Sequence, residues 1–364
     1  MRTDPLARAA ARTSACAAAL VACLAGHVTA QSITAVSYGG SYQKASTEAW
    51  FEPFTAATGI RVGVEDFTGG LAQIRAQVEV GNVYWDVVDL NASDVVIACD
   101  EGLLEYIDTE MLPPGADGTP AAEDFAPGTL SDCGAGVVVW STIYAFDARR
   151  FPGARPETIA DFFDLEKFPG RRGMRRVPMF NLEIALLADG VPTEEVYALL
   201  DTPEGLDRAF RKLDTIKDHV VWWEAGAQPP QMLADGEVVM STAYNGRIFN
   251  AQVLENQPFE IVWDGQLLDI NQLAIVAGTP RLEEAMRLVS FASTAEALGR
   301  RISYGPARAS AAPLITTHLE TGVEMGPHLP THPPNMARAL RRDWDWWVDN
   351  QDVLNERFSA WLAR

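Results

Sequence analysis

The chain has 364 residues, 48% hydrophobic and 21% charged, with 49 Asp and Glu against 29 Lys and Arg. This is a globular composition, long enough for two units with separate cores. Its formal net charge of −20 repels nucleic acid and anionic membrane surfaces.

At the N-terminus, Arg2, Arg8 and Arg12 accompany an apolar, alanine-rich run over residues 15–25, and Val28-Thr-Ala30 offers small residues for cleavage before Gln31. That layout predicts a secretory signal peptide over residues 1–30, with an apolar run too short to span a bilayer. Leu20-Val-Ala-Cys23 leaves open a lipoprotein signal, with anchoring through Cys23. Of four cysteines, Cys99 and Cys133 lie beyond the leader. An even pair in an exported protein predicts a disulfide and is too few soft ligands for a zinc site.

Residues 33–38 read as a first strand, followed by Gly39-Gly-Ser-Tyr42 and a helix to about residue 58 that carries Trp50, Phe51 and Phe54 into a core. Ser41 is the expected helix cap, and Gly39 and Gly40 permit close approach of a ligand to the backbone. Tyr38 and Tyr42 flank that turn as candidate walls. The turn lacks the glycine spacing of a dinucleotide site and the Gly-Lys-Ser/Thr ending of a phosphate loop. Residues 61–64 form a second strand, and Thr68 is the expected cap of a helix reaching residue 80. Residues 86–90 form a third strand, with Asp89, Asn91 and Ser93 at its end. The βαβαβ rhythm predicts a largely parallel sheet with ligands at its strand ends.

Residues 108–133 read as a surface excursion, and 136–146 as an extended crossing in which Trp140, Ser141 and Tyr144 are placed to face a gap. The four arginines of Arg171-Arg-Gly-Met-Arg-Arg176 read as a solvated edge, given the acidic chain around them. Helices are expected after Thr158, from Phe180 with Glu183 in the first turn, at Thr193, and at Thr202-Pro203. In Val220-Val-Trp-Trp223 the two tryptophans face opposite ways, and Trp223 is assigned to the cleft.

Residues 238–240 suit a buried strand, 241–246 a polar turn and 247–254 a helix. That pattern presents Tyr244, Asn245 and Arg247 at a turn: an aromatic face, an amide and a cation. Strands follow over 260–263 and 273–277, separated by Asp269-Ile-Asn-Gln272. Tyr304-Gly-Pro306 makes an aromatic turn. His318, His328 and His332 match no zinc spacing and read as surface histidines. Residues 335–347 and 352–362 read as terminal helices anchored by Trp344, Trp346 and Trp347. There is no GxSxG elbow, no HExxH and no nucleophile–base pair, and neither a metal nor a cofactor is expected.

Four segments, Val36-Ser-Tyr-Gly-Gly-Ser-Tyr42, Trp85-Asp-Val-Val-Asp-Leu90, Ala243-Tyr-Asn-Gly-Arg247 and Leu273-Ala-Ile-Val276, together resemble the periplasmic solute-binding proteins of bacterial ABC importers, in the broad spermidine/putrescine-binding-like group. The resemblance implies a mixed, mostly parallel α/β fold of two lobes joined by crossing strands around a cleft. It also implies a periplasmic monomer that delivers a small organic solute to an inner-membrane permease driven by a separate ATPase. The expected lobes are residues 31–139 with 272–315, and 140–271, with 316–364 packing across both.

In polyamine binders a segment like Trp-Met-Asp-Asn-Leu-Ala-Ile supplies an aromatic platform and an amine-binding carboxylate. Here the matching positions are Asp269 and Asn271. With Arg247 nearby, this favours a carboxylate-bearing solute, with an amine held by Asp89 or Asp269. A polyamine, a secreted lyase or hydrolase, and a receptor component remain as alternatives. The expected ligand-binding residues are Tyr38, Gly40, Tyr42, Thr68, Asp89, Trp140, Ser141, Tyr144, Glu183, Trp223, Tyr244, Asn245, Arg247, Asp269, Asn271 and Tyr304.

Overall fold

The structure, a computed structural model, describes residues 31–300, 304–318 and 321–364. The expected signal peptide and Cys23 lie outside them. The described strands are β1 (Ser32–Ser37), β2 (Arg61–Asp66), β3 (Val87–Asn91), β4 (Leu130–Ser131), β5 (Gly134–Asp147), β6 (Arg172–Arg175), β7 (Val220–Trp223), β8 (Met240–Tyr244), β9 (Phe259–Ile275) and β10 (Leu340–Arg341). They join in one sheet whose main order is β2-β1-β3-β9-β5-β8-β6-β7. β1 pairs in parallel with β2 and β3 at one end, and β6 with β7 and β8 at the other. Between these parallel blocks run β5 and β9, 14 and 17 residues long and antiparallel to each other. The result is a two-lobed α/β fold with a pair of crossing strands.

Alternation along the strands builds a core on each face of each lobe. In the first lobe Ile33, Ala35, Val87, Leu273 and Ile275 pack on one side with Trp50, Phe51 and Phe54. Val36, Val88, Leu90 and Ala274 pack on the other with Ile74. In the second lobe Tyr144, Phe146, Met174 and Met240 face one core, and Ile143, Ala145, Trp223 and Ala243 face the other. Asp86 locks the first lobe: its carboxylate accepts from the Thr34 amide at 2.7 Å and pairs with Arg281 at 2.9 Å. Cys99 and Cys133 form the expected disulfide. It closes a loop of 34 residues, which on chain-entropy grounds contributes about 4 kcal/mol.

Several local expectations are corrected. The separate strands expected at 260–263 and 273–277 are one strand, β9, which ends at Ile275, because its backbone finds partners in β3, β5 and β10. The polar stretch after Met240 is β8 itself, paired on both sides by β5 and β6. Ser41 lies within the helix Gly40–Ser46, whose cap residue is Gly39. Thr68 caps nothing, since the next helix, Ala72–Val80, begins after Leu71. Residues 335–338 are turns after Pro333 and Pro334, and the two terminal helices are one, Trp344–Leu362, capped by the Asp343 carboxylate. Trp347, Leu354, Phe358 and Trp361 anchor it in the second lobe's core, while Trp344 lies against Gly128 and donates to Asp269. His318 is buried and stacks near Phe249 at 5.7 Å.

Candidate functional site

The carboxyl ends of the parallel strands in both lobes open onto one cavity of about 360 Å³. From the first lobe come Tyr38 and Tyr42 after β1, Phe67 to Gly70 after β2, and Asn91 and Asp94 at the end of β3. From the second come Arg175 at the end of β6, Glu224 to Gly226 after β7, and Tyr244 and Arg247 after β8. Trp140, Asp269 and Asn271 on the crossing strands line it too, as do Tyr304 and, from the C-terminal segment, Arg342, Trp347, Gln351 and Asn355. This is where a doubly wound sheet receives ligands, duplicated and turned inward.

The aromatic walls are braced against each other. Tyr38 meets Tyr42 and Phe67, Tyr42 meets Tyr304, and Trp140 meets Phe180 and Tyr244, all with ring centroids within 5.9 Å. Trp140 donates through Nε1 to Asn271 Oδ1 at 2.7 Å. Asn271 Nδ2 donates to Asp89 at 2.6 Å, and Tyr42 Oη donates to the same carboxylate at 2.9 Å. These bonds fix the wall from behind.

Arg175 and Asp94 stand apart from this bracing. Among the described residues no carboxylate pairs with the Arg175 guanidinium, which lies over the Tyr244 ring at 6.0 Å. Its backbone carbonyl is pinned by Asn181 Nδ2 at 2.7 Å. Asp94 sits in the first turn of the helix Ala92–Asp100, capped by Asn91. One oxygen of Asp94 accepts from Asn91 Nδ2 at 2.7 Å. Burial pushes the Asp94 carboxyl above its ordinary pKa, opposed by the charges of Arg342 and Arg175. Burial, with the fields of Asp94 and Asp89, likewise pushes the Tyr38 phenol well up, so it is a neutral hydroxyl at physiological pH.

Arg247 is satisfied differently. Its Nη2 donates to the carbonyls of Tyr38 at 2.9 Å and Gly39 at 3.1 Å, and its Nη1 to Ser41 Oγ at 3.4 Å. Asp269 is also engaged, in a buried ion pair with Arg342 and as acceptor from Trp344 Nε1 at 2.9 Å. Arg342 also donates to Ser93.

Of the residues expected to bind ligand, Tyr38, Tyr42, Thr68, Trp140, Tyr244, Arg247, Asp269, Asn271 and Tyr304 border the cavity. The others lie elsewhere. Gly40 faces the Arg247 guanidinium, which a β-carbon would meet at 2.6 Å. Asp89 is the acceptor behind Tyr42 and Asn271. Ser141 and Asn245 bond each other, backbone amide to side-chain oxygen at 3.0 Å, tying β5 to the helix Asn245–Phe249. Tyr144 donates to the Thr158 carbonyl within the second core, and Trp223 packs behind Tyr244 at 5.6 Å. Glu183 is buried under Trp347, whose Nε1 donates to it at 2.6 Å.

Asp94 and Arg175 border the cavity but are absent from the expected set. The four arginines do not form one solvated edge. Arg172 is fully buried, donating to the Phe162, Phe168 and Gly170 carbonyls, and Arg175 faces the cavity. The available signal was position: each stands where a parallel strand ends, Arg175 closing β6 and Asp94 opening the helix after β3.

The model of the bacterial extracellular solute-binding protein family matches residues 49–331. A gamma-aminobutyric acid-binding protein of Pseudomonas aeruginosa is 42% identical over 343 residues, 93% of each chain. The solved MotA protein of A. tumefaciens in complex with glucopine is 30% identical with a TM-score of 0.81, covering 91% of this chain and 100% of that one. The AttC protein of Agrobacterium tumefaciens, in an open unliganded conformation, is also 30% identical over 91% of this chain and 99% of its own, at a TM-score of 0.64. A spermidine/putrescine substrate-binding protein of Streptococcus pneumoniae, 16% identical at a TM-score of 0.66 over 91% of this chain and 99% of that one, shares the fold alone.

A two-lobed sheet whose strand ends converge on one cavity defines a periplasmic solute-binding protein of an ABC importer, whose partners are a solute and an ATP-driven membrane permease. The chain belongs to the bacterial extracellular solute-binding protein family.

Proposed function

We propose that the protein binds an amino acid whose ammonium and carboxylate lie at opposite ends of a short chain, of the kind of gamma-aminobutyrate, and delivers it to its permease. The observation that carries this is the pairing of an unclaimed guanidinium, Arg175, with a buried carboxylate, Asp94, on opposite lobes of the same cavity. A guanidinium fork takes a carboxylate with two charge-assisted hydrogen bonds, and Asp94 takes the ammonium. The aromatic walls enclose the methylenes and exclude water, as pockets for small ligands do. The carboxylate role expected of Arg247 belongs to Arg175, because Arg247 is already held by backbone acceptors. The amine role passes from Asp89 and Asp269, both committed within the protein, to Asp94. The name of the Pseudomonas aeruginosa relative supports the same ligand class.

The better match to the glucopine complex than to the open structure, at equal sequence identity, supports a closed arrangement of the lobes here. The lobes fall at residues 31–139 with 272–315 and at 140–271, and the segment 316–364 spans them. Each expected lobe has its own pair of cores, which supports these bounds.

Titration calorimetry with gamma-aminobutyrate, putrescine and butyrate tests the proposal. Putrescine lacks the carboxylate and butyrate the ammonium, and each is expected to bind at least about 100-fold more weakly. Putrescine binding as well as gamma-aminobutyrate would contradict it.

A further inference from the structure

We infer that Arg247 is the clasp that holds the two lobes shut over the ligand, and that it sets how long the solute stays bound rather than which solute is chosen. Arg247 rises from the helix Asn245–Phe249 of the second lobe, yet the carbonyls it serves, those of Tyr38 and Gly39, belong to the first.

Both sides are shaped for the contact. Gly39 and Gly40 have φ of +52° and +58°, a region that favours glycine. A β-carbon on Gly40 would stand 2.6 Å from Arg247 Nη1. Next to the arginine, Gly246 lies so close under the Tyr304 ring that a β-carbon there would overlap it. The glycines that sequence reading gave to the ligand therefore serve the approach of one lobe to the other. The Arg247 side chain is buried, so these charge-assisted bonds form away from bulk water. They have no counterpart once the lobes part, because all the acceptors lie on the first lobe. The clasp thus adds a differential affinity for the closed state, which is what shifts such an equilibrium.

This assignment rests on the reading of the cavity as the solute site, and its test separates the two. Spin labels on Glu79→Cys and Glu194→Cys, exposed positions on the first and second lobes, report the interlobe distance in protein that begins at Gln31, since among the described residues Cys99 and Cys133 are paired. Arg247→Ala is expected to lower the closed-to-open ratio about tenfold with or without gamma-aminobutyrate, and Arg247→Lys to lower it less. Stopped-flow binding of gamma-aminobutyrate should show dissociation about tenfold faster, with association changed less than about threefold. Wild type and Arg247→Ala should discriminate equally between gamma-aminobutyrate and its uncharged amide.

An unchanged closed-to-open ratio, or loss of that discrimination in Arg247→Ala, would overturn the clasp. If gamma-aminobutyrate binds no form of the protein, the solute reading fails, and the clasp is still judged on the ligand-free populations. Thermal unfolding of each variant shows whether it is folded.

Discussion

Arg175 and Arg247 leave the second lobe from the ends of two adjacent parallel strands and border the same cavity, yet their surroundings are opposites. Around Arg247 every feature is fitted to the guanidinium: two carbonyls, a hydroxyl, and a glycine that leaves it room. Around Arg175 there is an aromatic ring and open space, with Asp94 acting from across the cavity without bonding it. A buried cation with its acceptors already supplied is part of the protein's own construction. Arg175 is half-buried and keeps its donors open to the cavity, which is what the proposed carboxylate partner needs. The identity of the residue was readable from sequence, but the state of its donors was not.

The largest effect that could break this comparison is at Arg175. Arg175→Ala should weaken gamma-aminobutyrate binding by about 100-fold or more in calorimetry, and Arg175→Lys should recover part, since a lysine supplies charge without the fork. If Arg247→Ala has the larger effect and acts on association, the two roles are exchanged.

Asp94 comes next. Asp94→Asn should weaken the same ligand by roughly tenfold to 100-fold. Burial raises the wild-type carboxyl, so its ionised form is lost at a higher pH than for an ordinary carboxylate. Ammonium binding needs that ionised form. Affinity should therefore fall as pH is lowered through the raised pKa, with a proton released on binding above background. In Asp94→Asn the fall and the released proton should both disappear. Asn91, Asp269, Arg342 and Arg175 surround this group and stay the same in both forms.

Arg247→Ala is third, expected to lower affinity about tenfold almost wholly through dissociation. The smallest effect sharpens the comparison on the carboxylate side. Glu183 is buried like Asp94 but lies outside the cavity. One of its oxygens accepts from Trp347 and Tyr197, and the other has no partner. Burial raises its pKa, so protonation favours the fold, and stability is lost as pH rises through the folded value. Glu183→Gln keeps the acceptor and removes the charge. It should raise the melting temperature by about 2 °C above neutral pH and leave ligand affinity unchanged.

Much of the fold was legible because it rests on local patterns. The alternation of Ile33, Ala35 and Val36, the Thr202-Pro203 helix start and the paired Cys99 and Cys133 each carry their reason in the sequence. The cavity was legible in part for the same reason, since the passage from strand to helix over Tyr244 to Arg247 announces itself. What was not legible is which side of a wall a residue occupies. Trp223 and Trp140 are both tryptophans on strands, but Trp223 backs Tyr244 while Trp140 borders the cavity. Asp89 and Asp94 flank the end of one strand, and the choice between them depends on Tyr42 and Asn271, distant in sequence, which take up Asp89. Arg175 was hidden in a cluster of arginines whose average character is that of a surface.

The most direct measurement compares gamma-aminobutyrate with its uncharged amide by titration calorimetry on the wild type and on Arg175→Ala. If Arg175 receives the carboxylate, the amide binds the wild type at least about 100-fold more weakly, and the two ligands become nearly equal on the variant. Should the wild type bind acid and amide alike, or the variant keep the full preference, the carboxylate is held somewhere else.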